Sequence, residues 1–294
     1  MHQLPPAEHE VDEGLARALV ADQHPDLADL AIRPLAHGWD NVMFRLGEAL
    51  VLRLPRRAVA AELIVTEQRW LSTLAAGLPV AAPAPVRIGV PGRGYPWPWS
   101  VIPWIAGRPA EAAPLTADQA GPLGRFLKAL HRPAPVDAPF NPYRSIPLAE
   151  RTTTEPTLAR VAKRRPELIT EAVRAAWAEG VAAPIDLAPT WIHGDLHARN
   201  VLSDGGRLSG VIDWGDMARG DPATDLYGLW MLLPDRAARE AALSAYGGIS
   251  EATLKRARGW AVAMGAILVE AGAKDDPGLE AMGEGTLRAL GEGP

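Results

Sequence analysis

The chain has 294 residues, 48% of them hydrophobic and 22% charged, the composition of a folded globular protein long enough for about two domains rather than of a disordered chain. Its 30 basic and 35 acidic side chains give a net charge of −5, which argues against a general nucleic-acid or anionic-membrane surface. Cysteine is absent, which excludes disulfide scaffolds, thiol nucleophiles and thiolate metal sites, and only Lys128, Lys163, Lys255 and Lys274 are lysine, so that 26 of the basic residues are arginine.

Val11, Leu15, Ala18 and Leu19 recur at helical spacing and predict a short amphipathic helix packed on the outside of the fold, ahead of the breaks at Pro25 and Pro34. Three strand-like segments follow, Ile32–Ala36, Asn41–Leu46 and Ala49–Leu54, joined by His37-Gly38-Trp39-Asp40 and by Gly47-Glu48, and they read as an antiparallel meander. From Val59 to Leu74 a helical stripe of Leu63, Trp70, Leu71 and Leu74 carries Glu62 and Glu67 on its polar side. Beyond Pro79, Pro83 and Pro85 come two further strands, Val86–Val90 and Ser100–Ile105, which completes a unit of five strands and one inserted helix. After Gly107 helical periodicity takes over. Thr116 and Gln119 have the spacing of a capping box ahead of Leu123, Phe126, Leu127 and Leu130, and a further helix is predicted over Pro166–Glu179 with proline in its first turn. Asp225–Leu290 reads as almost wholly helical, with Ser250 as an N-cap. The N-terminal residues lack the basic and apolar segments of a secretion signal, and the longest apolar run, Trp260–Val269, is about half a bilayer span; a cytoplasmic location is expected.

Polar functional groups are densest over Trp191–Asp225, which reads WIHGDLHARNVLSDGGRLSGVIDWGDMARGDPATD. Val201-Leu202 and Leu208–Ile212 flank a segment in which Gly205 and Gly206 suit a tight turn. A hairpin centred there returns Asp213 to the neighbourhood of Asn200, and Asp195 stands just upstream in the same loop. Phosphoryl transfer needs a carboxylate to orient and deprotonate the attacking hydroxyl, and metal ligands to hold the donor phosphates in line with it. Asp195, Asn200 and Asp213 match those tasks in order, and hard oxygen ligands of this kind suit Mg²⁺. His193 and His197 have the i, i+4 spacing of two zinc ligands on a helix, but Gly194 between them and the lack of helical periodicity weigh against that reading.

HGDLHARN followed by IDWGD resembles the signature of the aminoglycoside phosphotransferase family, small-molecule and antibiotic kinases with a protein-kinase-like fold, and the GDPATDLY and YPWPWSVIPWIAG passages extend the resemblance over nearly the whole chain. It implies an α+β, protein-kinase-like two-lobe fold: an N-terminal nucleotide-binding lobe, 1–102, with a five-stranded antiparallel sheet and a helix; a hinge, 103–107; and a mostly helical catalytic and substrate-binding lobe, 108–294. It implies Asp195 as catalytic base, Asn200 and Asp213 as Mg²⁺ ligands, and Trp214 where protein kinases have the phenylalanine of their metal-binding triplet. His193 and Asp225 are implied as structural supports of the catalytic segment.

In such folds a lysine on the third strand contacts the donor phosphates and pairs with a glutamate of the inserted helix. Here Arg53 stands at that position and Glu67, or less favourably Glu62, is its partner. Arginine is permanently charged and its planar fork bridges a carboxylate and phosphate oxygens. The string VLRLPRR is similar to one in macrolide kinases of the same family. Gly38 lies in the loop after the first strand, where backbone amides are placed to cover phosphates, and Ile102, Pro103 and Ile105 of the hinge are expected against the purine, with Pro103 as carbonyl acceptor and Ile105 as amide donor. Trp97, Trp99 and Trp104 read as core or packing residues. The expected reaction moves the γ-phosphoryl group of ATP or GTP to a hydroxyl of an antibiotic, aminoglycoside or macrolide-like, or of a related metabolite. The expected partner is a small hydroxylated molecule, with no nucleic acid and no membrane, and the chain is expected to be a monomer or homodimer. The alternatives are a nucleotide-binding pseudokinase and a metabolic sugar or amino-alcohol kinase of the same fold. Asp235, Glu240, Glu270, Asp275 and Asp276 are read as a solvated helical face rather than as a site for a cationic acceptor.

Overall fold

The computed structural model describes residues 6–38, 40–233 and 235–291; Trp39, expected in the loop after the first strand, lies outside them. The chain divides into two compact units. One holds the described residues up to Gly77, Ala81–Ile105 and Asp213–Gly215; the other holds Leu78–Val80, Ala106–Ile212 and the described residues from Asp216 onward.

The first unit is a five-stranded sheet with a helix on each face. Helix α1 spans Glu13–Gln23, and the strands are β1 (Ile32–His37), β2 (Asn41–Leu46) and β3 (Leu50–Pro55); after helix α2 (Ala58–Ala75) come β4 (Arg87–Gly89) and β5 (Trp99–Pro103). The order is β1-β2-β3-β5-β4 with every neighbouring pair antiparallel, so the meander and the five strands are as the sequence predicts. Pro34 is accommodated on the edge strand β1, where the register shifts between Pro34 and Ala36. Alternation sorts the two faces. Val42, Phe44, Leu46, Leu52, Leu54, Trp99 and Val101 form one core with Ala16, Leu19 and Val20 of α1. The N-terminal helix, expected on the outside, is therefore part of the core, because its stripe includes Ala16 and Val20. Trp99 lies in this core, Trp97 packs against it, and Trp104 is exposed beneath the Arg45 guanidinium, 4.0 Å from Cζ to ring centroid. On the opposite face lie the cross-strand partners Met43, Arg53 and Ser100; Arg53 and Ser100 meet α2, whose Gln68 Nε2 donates to Trp99 O at 2.9 Å and to Ser100 Oγ at 3.1 Å.

The second unit is mostly helical. It opens with β6 (Arg108–Pro109) and contains α3 (Ala120–Leu130), α4 (Thr154–Arg164) and α5 (Glu171–Ala182), then β7 (Thr190–Ile192), β8 (Val201–Asp204), β9 (Arg207–Val211) and β10 (Ala218–Gly220). Five helices follow: α6 (Ala223–Leu226), α7 (Gly228–Leu232), α8 (Arg236–Tyr246), α9 (Glu251–Gly272) and α10 (Pro277–Leu290). The β8–β9 hairpin forms as expected, with Gly205 and Gly206 at φ of 57° and 87°, and β6 joins it to make three strands. The antiparallel β7–β10 ribbon was not legible, since three residues a side give no alternation to read.

Two helix starts differ from expectation. Thr116 and Gln119 do not form a capping box: Thr116 Oγ1 is bonded to Asp118 and to Gly206 O, and Gln119 Oε1 accepts from Leu208 N at 3.2 Å, so both residues anchor the hairpin instead. Nor is Pro166–Glu179 a single helix. Pro166–Leu168 is a 3₁₀ turn, and α5 begins after Thr170, whose hydroxyl caps Val173 N at 3.3 Å. Ser250 does cap α9, accepting from Thr253 N at 3.0 Å. Among the described residues no helix is long and apolar enough to cross a membrane.

Candidate active site

Strand β7 leads into the loop that carries Asp195. Its last residue, Ile192, pairs with Ala218, and the chain then turns through His193-Gly194-Asp195. Gly194 has φ +86°, and a Cβ on it would lie 2.6 Å from Asp216 O, so both backbone conformation and space demand glycine. Asp225, fully buried, braces the turn: Oδ2 accepts from His193 N at 2.6 Å and Oδ1 from Gly194 N at 2.8 Å. Oδ2 also lies 3.2 Å from His131 Nε2, a partner that nothing in the sequence signalled. The His193 ring fastens the loop to the hairpin. Nε2 donates to Ile212 O at 3.0 Å and Nδ1 accepts from Asp195 N at 3.3 Å, so the two residues implied as supports are placed to act as such.

Asn200 closes the loop. Its Nδ2 donates to the Asp195 carbonyl at 2.9 Å and lies 3.4 Å from Asp195 Oδ2, while its own carbonyl accepts from Ile212 N at 2.8 Å. The hairpin thus returns Ile212, the residue before Asp213, to Asn200. His197 Nδ1 accepts from Arg199 N at 3.2 Å, which leaves the proton on Nε2, 3.2 Å from Asp195 Oδ2. Neither His193 nor His197 is arranged as a zinc pair: their ring nitrogens are committed to the loop.

Asp195 has a further partner that sequence reasoning missed. Arg144 Nη2 donates to Oδ1 at 2.9 Å, from a turn 51 positions upstream. Burial alone would raise the Asp195 carboxyl, but the hydrogen bond from His197 and the neighbouring Arg144 guanidinium outweigh it and hold the group below the ordinary carboxylate range. The site therefore presents an ionised carboxylate. Arg144 is itself disfavoured by burial and held charged chiefly by Asp195.

In the first unit Arg53 and Glu67 are brought together as expected. Both are buried, and Arg53 Nη1 donates to Glu67 Oε1 at 2.8 Å and Oε2 at 2.6 Å. Arg53 Nη2 lies 3.5 Å from Asp213 Oδ1, and with its amide oxygen turned to the guanidinium Asn41 accepts from Nε and Nη2 at 3.2 Å. Burial works against the Arg53 charge, and Glu67 and Asp213 more than restore it. Glu62, the less favoured partner, is not bonded to Arg53; Glu67 is. Asp213 adopts a left-handed φ of 61°, a conformation aspartate tolerates, and Trp214 beside it is fully buried.

Gly38 is placed less openly than expected: its N–H donates to Asn41 O at 2.9 Å and its carbonyl accepts from Arg56 Nη1 at 3.2 Å, so the turn closes on itself. In the hinge segment Ile102 is buried opposite Val51, and Pro103 and Ile105 are half-buried.

The oxygen donors suit a hard divalent cation. With Nδ2 committed to Asp195, the atom that Asn200 offers is its amide oxygen, and the Asp213 carboxylate is 60% exposed with Arg53 Nη2 3.5 Å from Oδ1.

Fold and side chains together define a kinase-like phosphotransferase that acts on an alcohol group. The chain belongs to the phosphotransferase enzyme family (APH), which matches residues 31–260. Its fold is similar to that of wild-type aminoglycoside 2'-phosphotransferase-IIIa in complex with GDP, with a TM-score of 0.65 and 17% identity over 96% of this chain and 99% of that one. It is also similar to macrolide 2'-phosphotransferase MphH from Brachybacterium faecium, with a TM-score of 0.60 and 24% identity over 93% and 97%. A macrolide 2'-phosphotransferase of type I gives a TM-score of 0.59 and 21% identity over 95% and 97%. At these identities the likeness is one of fold. No curated protein sequence matches the chain.

Proposed function

We infer that the chain transfers the γ-phosphoryl group of GTP or ATP to a hydroxyl of a small aminoglycoside- or macrolide-like molecule. The observation that carries this reading is the Asp195 carboxylate, kept ionised and bonded within its loop to Asn200 and His197. Asp195 accepts the proton of the attacking hydroxyl at Oδ1 or Oδ2. Asn200 and Asp213 are each suited to bind Mg²⁺, which when bound would neutralise charge on the donor phosphates. Arg53, charged and anchored by Glu67, contacts those phosphates with the donors that Glu67 does not use. The hinge segment 103–107 binds the purine through backbone groups, with Pro103 O as acceptor. A nucleotide donor is supported by the fold's likeness to a phosphotransferase solved with GDP. An acceptor of antibiotic type is supported by a likeness to one solved with GDP and kanamycin, and by MphH.

The test is a panel of hydroxylated antibiotics and metabolites assayed in parallel with ATP and GTP. Transfer to at least one acceptor is expected, with nucleoside diphosphate as co-product. Nucleotide binding without any turnover would instead favour a partner or sensor role.

A further inference from the structure

A carboxylate swings about its Cβ–Cγ bond unless both oxygens are held, and a base serves a hydroxyl well only when its oxygen is kept in place. The two oxygens of Asp195 are held from different parts of the chain. Oδ2 has His197 Nε2 at 3.2 Å and Asn200 Nδ2 at 3.4 Å, both from its own loop. Oδ1 has Arg144 Nη2 at 2.9 Å, from the turn Asn141–Ser145.

That turn is fastened in advance. Asn141 Oδ1 accepts from the backbone N–H groups of Tyr143 and Arg144 at 2.8 and 3.1 Å, and Asn141 Nδ2 donates to Asp216 Oδ1 at 2.8 Å. Thr224 Oγ1 donates to the Arg144 carbonyl at 3.2 Å. The guanidinium thus reaches the carboxylate from a backbone already ordered.

The remainder of the guanidinium is poorly satisfied. Nη1 meets the thioether of Met264 at 3.3 Å, a weak acceptor; buried Nε has no hydrogen bond, and Asp216 Oδ2 stands 4.0 Å away. Burying a cation costs free energy, and two ill-matched donors return little of it, so packing alone does not explain an arginine here.

We propose that Arg144 is a positioning residue for phosphoryl transfer, which fixes Oδ1 of Asp195 while the loop fixes Oδ2 and so sets the carboxylate to receive the acceptor's proton. The proposal rests on Asp195 being the base. Arg144 acts through Asp195 and not on the nucleotide, so its loss falls on kcat and spares the nucleotide KM.

Arg144→Met keeps the bulk without the charge, and Arg144→Lys keeps the charge without the fork. Both are assayed with GTP and ATP, with kanamycin, a macrolide and water as acceptors, in the wild-type and Asp195→Asn backgrounds, with thermal melting read alongside. In Arg144→Met the expected result is a kcat at least about tenfold lower, a nucleotide KM within about twofold of wild type, and no further loss in the Asp195→Asn background. Arg144→Lys is expected to restore part of the rate. A folded Arg144→Met protein with kcat within about twofold of wild type, or the same loss repeated on top of Asp195→Asn, overturns the proposal. If Arg144→Met does not fold, Arg144→Lys and Arg144→Gln decide by the same comparison. A wild-type protein that transfers no more phosphoryl than Asp195→Asn overturns the role of Asp195 itself, an outcome recognised because the wild type is then idle.

Discussion

A lysine at position 53 would offer Glu67 and the phosphates one compact ammonium. The guanidinium that stands there spends Nη1 on both oxygens of Glu67 and keeps Nη2 toward Asp213. Its planar fork lets one buried cation serve two partners without losing charge. Arg53→Ala is expected to lower kcat/KM for the nucleotide at least tenfold, about 1.4 kcal/mol or more of transition-state stabilisation, with the melting temperature measured to separate folding from function. An unchanged value would reduce Arg53 to a packing residue. Arg53 was legible because a lysine-poor chain places an arginine on the third predicted strand, with a glutamate on the following helix. Asp195, Asn200 and Asp213 were legible because they fall in one short segment of distinctive spacing. Arg144 and His131 were not, because their partners Asp195 and Asp225 lie 51 and 94 positions away and no local pattern announces such pairs.

At the scale of elements, the sequence located strands and helices better than it located their ends. The five strands of the first unit stand within a few residues of their expected positions, since alternation and glycine turns are local signals. Caps depend on competition: Thr116 has the spacing for one, yet its hydroxyl is taken by Gly206 O of the hairpin, whereas the Ser250 hydroxyl accepts from Thr253 N and so caps α9 while it also donates to Thr253 Oγ1. Ser250→Ala is expected to cost about 1 kcal/mol in urea denaturation, and an unchanged midpoint would contradict the cap. Asp225 braces the turn that follows β7: its side chain bonds two backbone N–H groups and lies against His131. Asp225→Ala leaves buried donors unsatisfied and is expected to lower stability by about 3 kcal/mol. Loss of activity with an unchanged denaturation midpoint would instead give Asp225 a part in the chemistry.

Across the whole molecule, the family is settled by residues 31–260 and the acceptor is left to surface chemistry. Of Asp235, Glu240, Glu270, Asp275 and Asp276, four are already engaged: Glu240 pairs with Arg236, Glu270 with Arg160 and Asp276 with Arg199, and Asp235 caps α8. Carboxylates already neutralised add little attraction for a polycation. Removal of divalent cations with a chelator is expected to abolish transfer and added Mg²⁺ to restore it, and activity that survives chelation would remove Asn200 and Asp213 from the chemistry. If the ionised Asp195 carboxylate is the base, phosphoryl transfer from ATP and GTP by wild-type and Asp195→Ala protein on the same acceptor panel must differ sharply. Transfer by the wild type is expected and, with the fold intact, a loss of at least about a hundredfold in the variant; turnover by Asp195→Ala within a few-fold of wild type would remove Asp195 from the chemistry.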